Sequence, residues 1–469
     1  MKKLLSLTSK DFEKGFSQAS QITKGGFFYA SSVRVNPFIT EGNLRFSQEP
    51  TVIGSGVVAG IPQNFAASGA DMYCNDASGN IYKIASFTIS STPTVTKPKT
   101  GLTNTYGLEI FQTTNSSKYL YYWQKTQIGR MLLSNGTFDD DWAAITAGYQ
   151  SDVNPTLRID DVIYFGSGNV ISMIQDNGTD DTELVEAVLD LPKDFIITSL
   201  TTDGDYLIIT ASTAIGSTLN FYESRVFFWD YKNRYDSWTR SYTIQDPQIR
   251  GAETKNGLSY AVGQYGLYAF AFSKEPERIR EDVKCLYGYC NISLIKDSIS
   301  FGYINEVITY GKLKPNSPTA IFRPFKTDVT ITCLETFSSN TYGIIGGYTG
   351  NNGFLLRQNM VSAPSDYNDA SASSAEISLG NTYSIGRIDI IFDYPLTSGD
   401  LMDNVALYSG SATCRFQNIS YVINGAVNRA VTYPISGNLI ADHLGIDFTL
   451  IKGRMLIRQI DIYGEEITR

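Results

Sequence analysis

Residues that could carry out acid-base or nucleophilic catalysis are few in this chain. His443, within Ala-Asp-His-Leu-Gly, is the only histidine among 469 residues, and no Gly-x-Ser-x-Gly sequence accompanies it. A histidine-based triad needs a nucleophile on a sharp turn and an acid that orients the imidazole. We therefore interpret His443 as a loop or surface histidine that has no part in catalysis.

Adjacent carboxylates are the second candidate for chemistry. Asp139-Asp-Asp141, Asp160-Asp161 and Asp180-Asp181 could supply two acids for glycoside cleavage. Neighbouring residues of a strand point to opposite faces, however, so such acids do not oppose each other across a cleft. We interpret these acids as turn and capping residues.

Metal ligands could come from two further places. Asp176-Asn-Gly-Thr-Asp-Asp181 has the oxygen-rich, glycine-turned composition of a calcium loop, but it lacks the twelve-residue length and the final glutamate. Cys285 and Cys290 are loosely spaced, and no second pair follows them. We predict no catalytic residue, no metal site and no bound cofactor. The cysteines are odd in number, which favours reduced thiols over a disulfide framework: Cys74, Cys285, Cys290, Cys333 and Cys414.

Two short sequences resemble motifs of known β-proteins. Asn75-Asp-Ala-Ser-Gly-Asn-Ile-Tyr82 approaches the Asp box of sialidases, but its order of Asp, Ser and Gly differs. We interpret it as a hairpin turn in which Asp76 and Asn80 bond their own backbone. Trp229-Asp230 occurs once and lacks the Gly-His partner of a WD repeat, so we treat it as a coincidence. We predict that the chain is not an enzyme.

The composition favours sheets. Aromatic residues reach 13% and charged residues only 18%, while 40 glycines can supply the turns between many short strands. The net charge is −9 and no Lys/Arg run exceeds the pair Lys2-Lys3, so the electrostatic footprint for tight nucleic-acid binding is missing. The apolar start is interrupted by polar Thr8 to Asp11, and no segment approaches the length of a membrane span. We expect a soluble chain without a secretion signal.

A repeated, glycine-turned hairpin is the strongest signal in the sequence. Seven segments align in this way: Asp71–Ile84, Tyr119–Leu133, Asp161–Ile174, Asp205–Trp229, Gly257–Phe270, Ile299–Tyr310 and Thr341–Leu356. The residues that open the second strand of each hairpin are Ile81, Met131, Val170, Val226, Leu267, Val307 and Phe354. These openings lie 50, 39, 56, 41, 40 and 47 residues apart. Four strands of five or six residues with short loops need about 40 residues, which is one blade of a β-propeller.

We therefore predict an all-β chain with a propeller of about seven blades, and six or an irregular eight remain open. Each opening residue should occupy the same layer of a closed ring. Gly26–Val35 is the candidate strand that closes the ring by completing the last blade. Helical periodicity is absent except around Asp180 to Asp190, where one short helix is possible.

The composition changes after about residue 362. Ser362 to Ser374 is rich in Ser, Ala, Asp and Asn, as in a linker. Beyond it, alternating runs such as Ile388-Asp-Ile-Ile predict five or more strands with one dry face. We predict an N-terminal arm over residues 1–40, the propeller over 41–362 and a C-terminal β-sandwich over 363–469.

This layout resembles the propeller-bearing tail hub or nozzle proteins of tailed bacteriophages, including the packaged-DNA stabilisation proteins of short-tailed phages. The opening carries the resemblance: Ser17–Phe28, Val33-Arg-Val-Asn-Pro-Phe38 and Gly42–Pro50 are similar to the extended arm and Gly-x-Leu first blade of that class. The resemblance implies a structural virion protein of the viral tail, synthesised in the host cytoplasm. It further implies a homo-oligomeric ring around the DNA channel, in contact with other tail or portal-adaptor proteins.

The alternative comes from another class of protein. A carbohydrate-binding or glycan-cleaving propeller, such as a receptor-binding or sialidase-like protein, would use abundant Tyr and Trp for sugar stacking. A closed ring of seven blades also needs many buried aromatic side chains. Aromatic content alone therefore does not separate the two functions.

Overall fold

The computed structural model describes the chain as strands, turns and bends, with no helix in its described part. The described residues are 2–7, 28–33, 44–45, 50–90, 92–103, 105–148, 153–179, 181–213, 223–281, 285–289, 292–295, 298–311, 320–326, 329–336, 342–359, 368–369, 373–392, 404–408, 422–424, 430–448, 451–452 and 456–467. The chain divides into two compact units, one of Thr51–Asn305 and Asp328–Gln358 and one of Met1–Pro50, Glu306–Thr327 and Asn359–Arg469.

Seven four-stranded antiparallel sheets follow one another along the chain, and we call them blades 1 to 7. Four short strands precede blade 1: β1 (Lys2–Leu7), β2 (Phe28–Val33), β3 (Leu44–Arg45) and β4 (Thr51–Ile53). Blades 1 to 3 consist of β5 (Pro62–Ser68), β6 (Asp71–Asp76), β7 (Ile81–Ala85) and β8 (Thr94–Lys99); β9 (Gly107–Gln112), β10 (Lys118–Trp123), β11 (Gln127–Leu132) and β12 (Thr137–Ala144); and β13 (Thr156–Ile159), β14 (Val162–Ser167), β15 (Val170–Asp176) and β16 (Thr182–Asp190).

Blades 4 to 7 repeat the same meander. Their strands are β17 (Phe195–Thr202), β18 (Leu207–Thr213), β19 (Ser224–Trp229) and β20 (Arg240–Ile244); β21 (Ile249–Lys255), β22 (Leu258–Gly263), β23 (Leu267–Ala271) and β24 (Lys274–Arg280); β25 (Ile292–Ile295), β26 (Ser298–Tyr303), β27 (Glu306–Gly311) and β28 (Ala320–Lys326); and β29 (Thr330–Thr336), β30 (Tyr342–Thr349) and β31 (Asn352–Asn359) with β4.

The blade repeat predicted from the sequence is confirmed. All seven opening residues, from Ile81 to Phe354, lie in the third strand of their blade. The first strands of successive blades contact each other in turn, and β29 of blade 7 contacts β5 of blade 1. The ring is therefore closed, and the protein is an all-β propeller of seven blades.

Face-to-face packing of neighbouring blades buries both faces of each sheet. In β19, Phe227 and Trp229 pack toward blade 3 while Phe228, between them, packs toward blade 5. The ring centroids of Trp229 and Tyr164 of blade 3 lie 6.0 Å apart, and those of Phe228 and Phe270 of blade 5 lie 6.4 Å apart. Because successive side chains of a strand point to opposite faces of the sheet, one strand contributes apolar side chains to the contacts with both neighbouring blades.

A strand from the N-terminal side of the propeller closes the ring, but it is not the predicted one. Strand β4 pairs with β31, placing Ile53 opposite Leu355. The predicted segment Gly26–Val35 contributes β2 to a different sheet, where β2 pairs with β33 (Ser373–Phe392). Any short extended segment before blade 1 satisfies the local requirements for closure. Pairing partners far along the chain decide between such segments.

The region from Asp180 to Asp190 is also corrected. Thr182–Asp190 forms β16, an outer strand that pairs with β15, and Ala187 with φ of 55° accompanies a register shift there. Hydrogen bonds to β15 satisfy the backbone of this segment. The short helix expected from the apolar spacing of this segment is therefore replaced by an outer strand with an irregular register.

The second unit contains an eight-stranded sheet built from both ends of the chain. The C-terminal strands are β32 (Asn368–Asp369), β33, β34 (Asn404–Tyr408), β35 (Val422–Asn424), β36 (Ala430–Phe448), β37 (Ile451–Lys452) and β38 (Leu456–Glu466). The path of the eight-stranded sheet is β1-β38-β33-β36-β34, and in addition β2 pairs with β33, β3 with β38 and β35 with β36. The predicted strands of this region are present as one sheet, while the second layer of a sandwich stays a prediction. The linker Ser362–Ser374 lies largely outside the described residues.

Asp461 of β38 fixes the N-terminal strand to this sheet. Its side chain is almost fully buried, with a hydrogen bond from Ser6 at 2.6 Å, another from Gln459 at 2.8 Å and an ion pair with Lys3 at 2.8 Å. Desolvation raises the pKa of Asp461, but these three donors outweigh it and hold the pKa below its usual value.

The closing strand generates a stability prediction. Ile53 is 7% exposed and packs in the blade 7 to blade 1 core, whereas Val52 beside it is 46% exposed. We expect Ile53→Ala to lower the free energy of unfolding by about 2–5 kcal/mol, since it leaves a cavity at the ring closure. Val52→Ala should change it by less than about 0.5 kcal/mol. Urea unfolding of both variants measures this, and equal effects would show that β4 does not hold the ring closed.

Candidate functional site: the axial cavity and its mouth

The first strands of the seven blades enclose an axial cavity of about 200 Å³. The apolar residues of its lining come from five different blades: Leu108, Leu157, Leu200, Ile292 and Leu334. A cavity of this size holds a handful of water molecules. A cavity of this volume cannot contain a nucleic-acid duplex.

Three glutamate residues also line the axial cavity. Glu109 accepts a hydrogen bond from the Ile110 amide at 2.9 Å, and burial raises its pKa to about 7. Burial and, to a smaller extent, the charge of Glu335 raise the pKa of Glu253 to about 8. Glu335 itself accepts a hydrogen bond from the Ser293 hydroxyl at 3.1 Å. The cavity thus favours protonated carboxyl groups near neutral pH.

A second cavity, of about 300 Å³, adjoins the first, because Asn64 lines both. We call it the mouth pocket. It lies where several first strands begin, and four tyrosines and one arginine lie in its wall: Tyr106, Tyr287, Tyr289, Tyr348 and Arg250. Arg250 lies over the Tyr289 ring, with its guanidinium carbon 4.7 Å from the ring centroid. An aromatic wall with few polar groups is the usual lining of a small-molecule site.

Two buried carboxylates outside these cavities fix blade loops. Asp76 accepts hydrogen bonds from the amides of Gly60 at 3.0 Å and of Ser78 and Asn80 at 2.9 Å. It also accepts from the Asn80 side chain at 2.8 Å and from the Tyr82 hydroxyl at 2.6 Å. The interpretation of this segment as a hairpin turn is confirmed for Asp76. The Asn80 side chain, in contrast, donates to Asp76 and not to its own backbone.

Asp246 has the same role in blade 5. Its carboxylate accepts from the amides of Gln248 at 2.9 Å, Gln264 at 3.1 Å and Tyr265 at 2.8 Å, and from the Tyr268 hydroxyl at 3.2 Å. Like Tyr82 in blade 1, Tyr268 is the second residue of its third strand. Burial raises the pKa of Asp246 despite these donors.

Glycine is required beside each of the two carboxylates. A Cβ atom at Gly60 would lie 2.5 Å from Oδ2 of Asp76, and one at Gly263 would lie 2.4 Å from Oδ2 of Asp246. Any larger residue would displace the carboxylate from its donors. These acids hold loops together, which is a structural role.

The acids considered for glycoside cleavage lie in strands and turns. Asp140 of β12 accepts a hydrogen bond from the Tyr122 hydroxyl at 2.5 Å and forms an ion pair with Lys99. Asp160, with φ of 49°, lies in the turn between β13 and β14. Asp180 lies outside the described residues, and Asp181 pairs with Arg130.

Two of the residues considered as metal ligands, Asp176 and Cys285, have other partners. Asp176 accepts from the Thr114 amide and the Gly178 amide, both at 2.7 Å, so its oxygens face N–H donors. The buried thiol of Cys285 donates to the Tyr287 carbonyl oxygen at 3.7 Å, and Cys290 lies outside the described residues. Within the described ranges, no three His, Cys, Asp or Glu residues form a group that could hold a metal ion.

His443 lies in a strand, which corrects the expectation of a loop. It belongs to β36, opposite Ser378 of β33 and Tyr408 of β34, and it is half-buried. Its Nδ1 lies 2.8 Å from a carboxylate oxygen of Asp442. A run of polar and glycine residues around a histidine resembles a loop locally, but sheet pairing on both sides imposes the strand.

The residues that line the cavities were not singled out from the sequence. Glu109, Glu253 and Glu335 each follow an apolar residue within the first strand of a blade. A lone acid in the innermost strand of a repeat is the signal that could have identified them. Arg250 has no comparable signal, since its position at the mouth depends on the ring.

Comparison with known proteins finds similar chains among the solved structures. No protein-family model matches the chain, and no curated protein matches it. Among solved structures, the chain is similar to the computationally designed Ika8 protein at 11% identity, covering 66% of this chain and 99% of that one with a TM-score of 0.42. A chain of the mitotic checkpoint complex gives 12% identity, 68% and 94% coverage and a TM-score of 0.49. The Dos1 propeller gives 11% identity, 66% and 95% coverage and a TM-score of 0.44.

A search for helices able to cross a membrane finds none in the described part of the chain.

The axial carboxyl groups generate a pH prediction. Because the folded-state pKa of Glu253 is about 8, above the usual 4.5, its contribution to stability is complete below about pH 4.5 and falls as the pH rises toward 8. We expect Glu253→Gln to stabilise the protein relative to wild type by about 1–3 kcal/mol at pH 9 and by little at pH 5. Urea unfolding at both pH values measures the difference.

Glu277 provides the control, since its side chain is 65% exposed on the outer strand of blade 5. Glu277→Gln should show no such pH dependence. If Glu253→Gln and Glu277→Gln behave alike, burial at the axis does not shift the titration of Glu253.

Proposed function

We propose that this chain is a structural virion protein of a tailed bacteriophage, a tail hub or nozzle subunit that assembles into a homo-oligomeric ring around the DNA channel. The observation that carries the proposal is the eight-stranded sheet built from both chain ends. The blades of a closed propeller offer only short, protected sheet edges, whereas β1 and β34 are edge strands on the path of the described sheet. In this proposal, the eight-stranded sheet and the N-terminal segment make the contacts between subunits of the ring.

The axial cavity bears on where DNA would pass. Since the cavity measures about 200 Å³, DNA would run between subunits of the ring and not through any one propeller. A chain of net charge −9 would flank that path without gripping the phosphates, so DNA could slide. Both features fit a ring of subunits with the propellers outside the channel, in contact with other tail or portal-adaptor proteins.

A carbohydrate-binding propeller is the second candidate, and one observation favours it. The mouth pocket presents tyrosine rings beside Arg250 in a cavity of small-molecule size. Glycan cleavage gains less support, because Asp76, Asp140, Asp176 and Asp246 are all engaged by structural donors.

Removing the terminal segments tests the proposed assembly. We expect the full chain to form rings, and a fragment of residues 40–362, which retains all seven blades and β4, to be monomeric. Light scattering after size exclusion and two-dimensional class averages measure both species. A fragment that forms the same oligomer would place the assembly contacts in the propeller, and a full chain that stays monomeric would contradict the ring.

Asp461 tests whether the N-terminal strand depends on the C-terminal sheet. We expect Asp461→Asn to lower the free energy of unfolding by about 1–3 kcal/mol at pH 7, because a buried, hydrogen-bonded charge is lost. The native pKa is depressed, so the stability due to Asp461 is present above its unfolded pKa and is lost as the pH falls through the native value. The two proteins should therefore converge at low pH in urea unfolding.

Asp205 supplies the matched control, since its ion pair with Lys232 at 3.2 Å involves an 82% exposed carboxylate side chain. Asp205→Asn should change stability by less than about 1 kcal/mol. An equal loss from both substitutions would mean that Asp461 is an ordinary surface charge.

A further inference from the structure

The outer strand of blade 4, β20, has a more regular edge than the outer strands of the other blades. Its pairing with β19 runs over five consecutive residues, Arg240–Ile244, without a register shift. In blades 1, 2, 3, 5 and 6 the pairing of the outer strand includes a register shift, and β4 of blade 7 is only three residues long. Irregular pairing and short length keep a sheet edge from pairing with another chain. Blade 4 is therefore the exception to the protection of the propeller edges.

The composition of the outer strands shows the same difference. Proline, which cannot donate a backbone hydrogen bond, lies in β8, β24 and β28 as Pro98, Pro276 and Pro324, and β12 contains three consecutive aspartates. Strand β20 contains no proline, and its one charged residue is Arg240 at its beginning. Nη1 of Arg240 donates to the Phe272 carbonyl at 2.8 Å, and its guanidinium carbon lies 4.5 Å from the Phe272 ring centroid. The other four residues of β20 thus form an uncharged edge.

A cavity of about 550 Å³ adjoins this edge, and we call it the edge groove. It lies between the outer strands of blades 4 and 5, since its lining includes Ser241, Tyr242 and Thr243 of β20 and Glu275, Pro276 and Arg278 of β24. Five residues of an extended chain span about 17 Å. A segment of that length would pair with the whole of β20 and satisfy the backbone N–H and C=O groups that an edge strand turns outward.

The charges around the edge groove restrict what it can bind. Arg278 forms an ion pair with Glu281 at 3.6 Å, and Arg240 is held by the Phe272 carbonyl and ring. Glu275 lines the groove, is exposed and has no ion-pair partner within the described residues. The uncompensated charge of the groove is therefore one carboxylate. A basic side chain complements it, whereas an acidic one is repelled.

We propose that β20 and the edge groove bind an extended, basic segment of a partner protein, which adds a fifth strand to blade 4. The main chain of the segment pairs with β20, and a lysine or arginine side chain lies beside Glu275. Ser241 and Thr243 share one face of β20, and such hydroxyl side chains pair well with threonine on a neighbouring strand. This proposal does not rest on the ring-subunit function, because β20 belongs to blade 4 and not to the eight-stranded sheet.

Titration of the full chain with a capped, fluorescently labelled heptapeptide of alternating threonine and valine with one central lysine tests the proposal by anisotropy. We expect a dissociation constant of about 0.1–1 mM, since a short flexible segment loses much of its binding energy to ordering. The same peptide with proline in place of both valines should not bind, because it lacks main-chain donors. Hydrogen exchange followed by mass spectrometry should slow in Arg240–Ile244 when the lysine peptide is bound.

Thr243→Lys places a charge on the exposed edge of β20, opposite the lysine of the peptide. We expect it to weaken binding by about tenfold. Thr96→Lys is the matched control, because Thr96 is also an exposed threonine of an outer strand, but in blade 1. It should leave binding unchanged, and thermal melting confirms that each variant folds.

Glu275→Gln tests the charge preference. Wild type should bind the lysine peptide about threefold more tightly than a peptide with central glutamate, and Glu275→Gln should remove that difference. Glu277→Gln should retain it, since Glu277 is paired with Lys274 at 3.0 Å. Failure of the lysine peptide to bind, equal binding by Thr243→Lys, or slowed exchange outside β20 overturns the proposal. So does a full chain that dimerises through β20 and is dissociated by Thr243→Lys, because a second copy would then occupy the edge.

Discussion

Burial of both faces of each four-stranded sheet is the constraint on which the propeller depends. A single meander with apolar residues on two sides cannot be stable alone, since each face must be covered by another sheet. In β19 the alternation of Phe227, Phe228 and Trp229 divides three aromatic side chains between blades 3 and 5. The first and last blades obtain the same cover only when the ring closes. Pairing of β4 with β31 and the Thr332 contact to Pro62 provide that closure.

Radial packing also explains where polar groups accumulate. The innermost strands converge on an axis where side chains cannot fill space as densely as between blades, and Glu109, Glu253 and Glu335 occupy this space. The buried carboxylates of the blade loops have a different role. Asp76 and Asp246 accept hydrogen bonds from loop amide groups that would otherwise be buried without partners. Gly60 and Gly263 leave room for the two carboxylates.

The repeat could be predicted because it is local. Each blade carries its own strand alternation and its own glycine turns, so seven hairpins are visible without knowledge of their neighbours. The ring-closing segment and the region from Asp180 to Asp190 could not be predicted in the same way. Short extended segments are interchangeable by composition, and pairing with β33 rather than β31 depends on residues hundreds of positions away. In the same way, Thr182–Asp190 forms strand β16 because it pairs with the neighbouring strand β15.

The sequence by itself determined an all-β chain, the repeat and spacing of its blade hairpins and the shortage of histidine. These follow from composition and from short-range periodicity, which depend on neighbouring residues only. The tertiary structure decided which residues line one cavity: Gln63 of blade 1 and Arg250 of blade 5 line the mouth pocket, and Glu253 and Glu335 line the axial cavity. Residues that belong to different blades meet at the axis only because the ring closes, and no local pattern encodes that geometry.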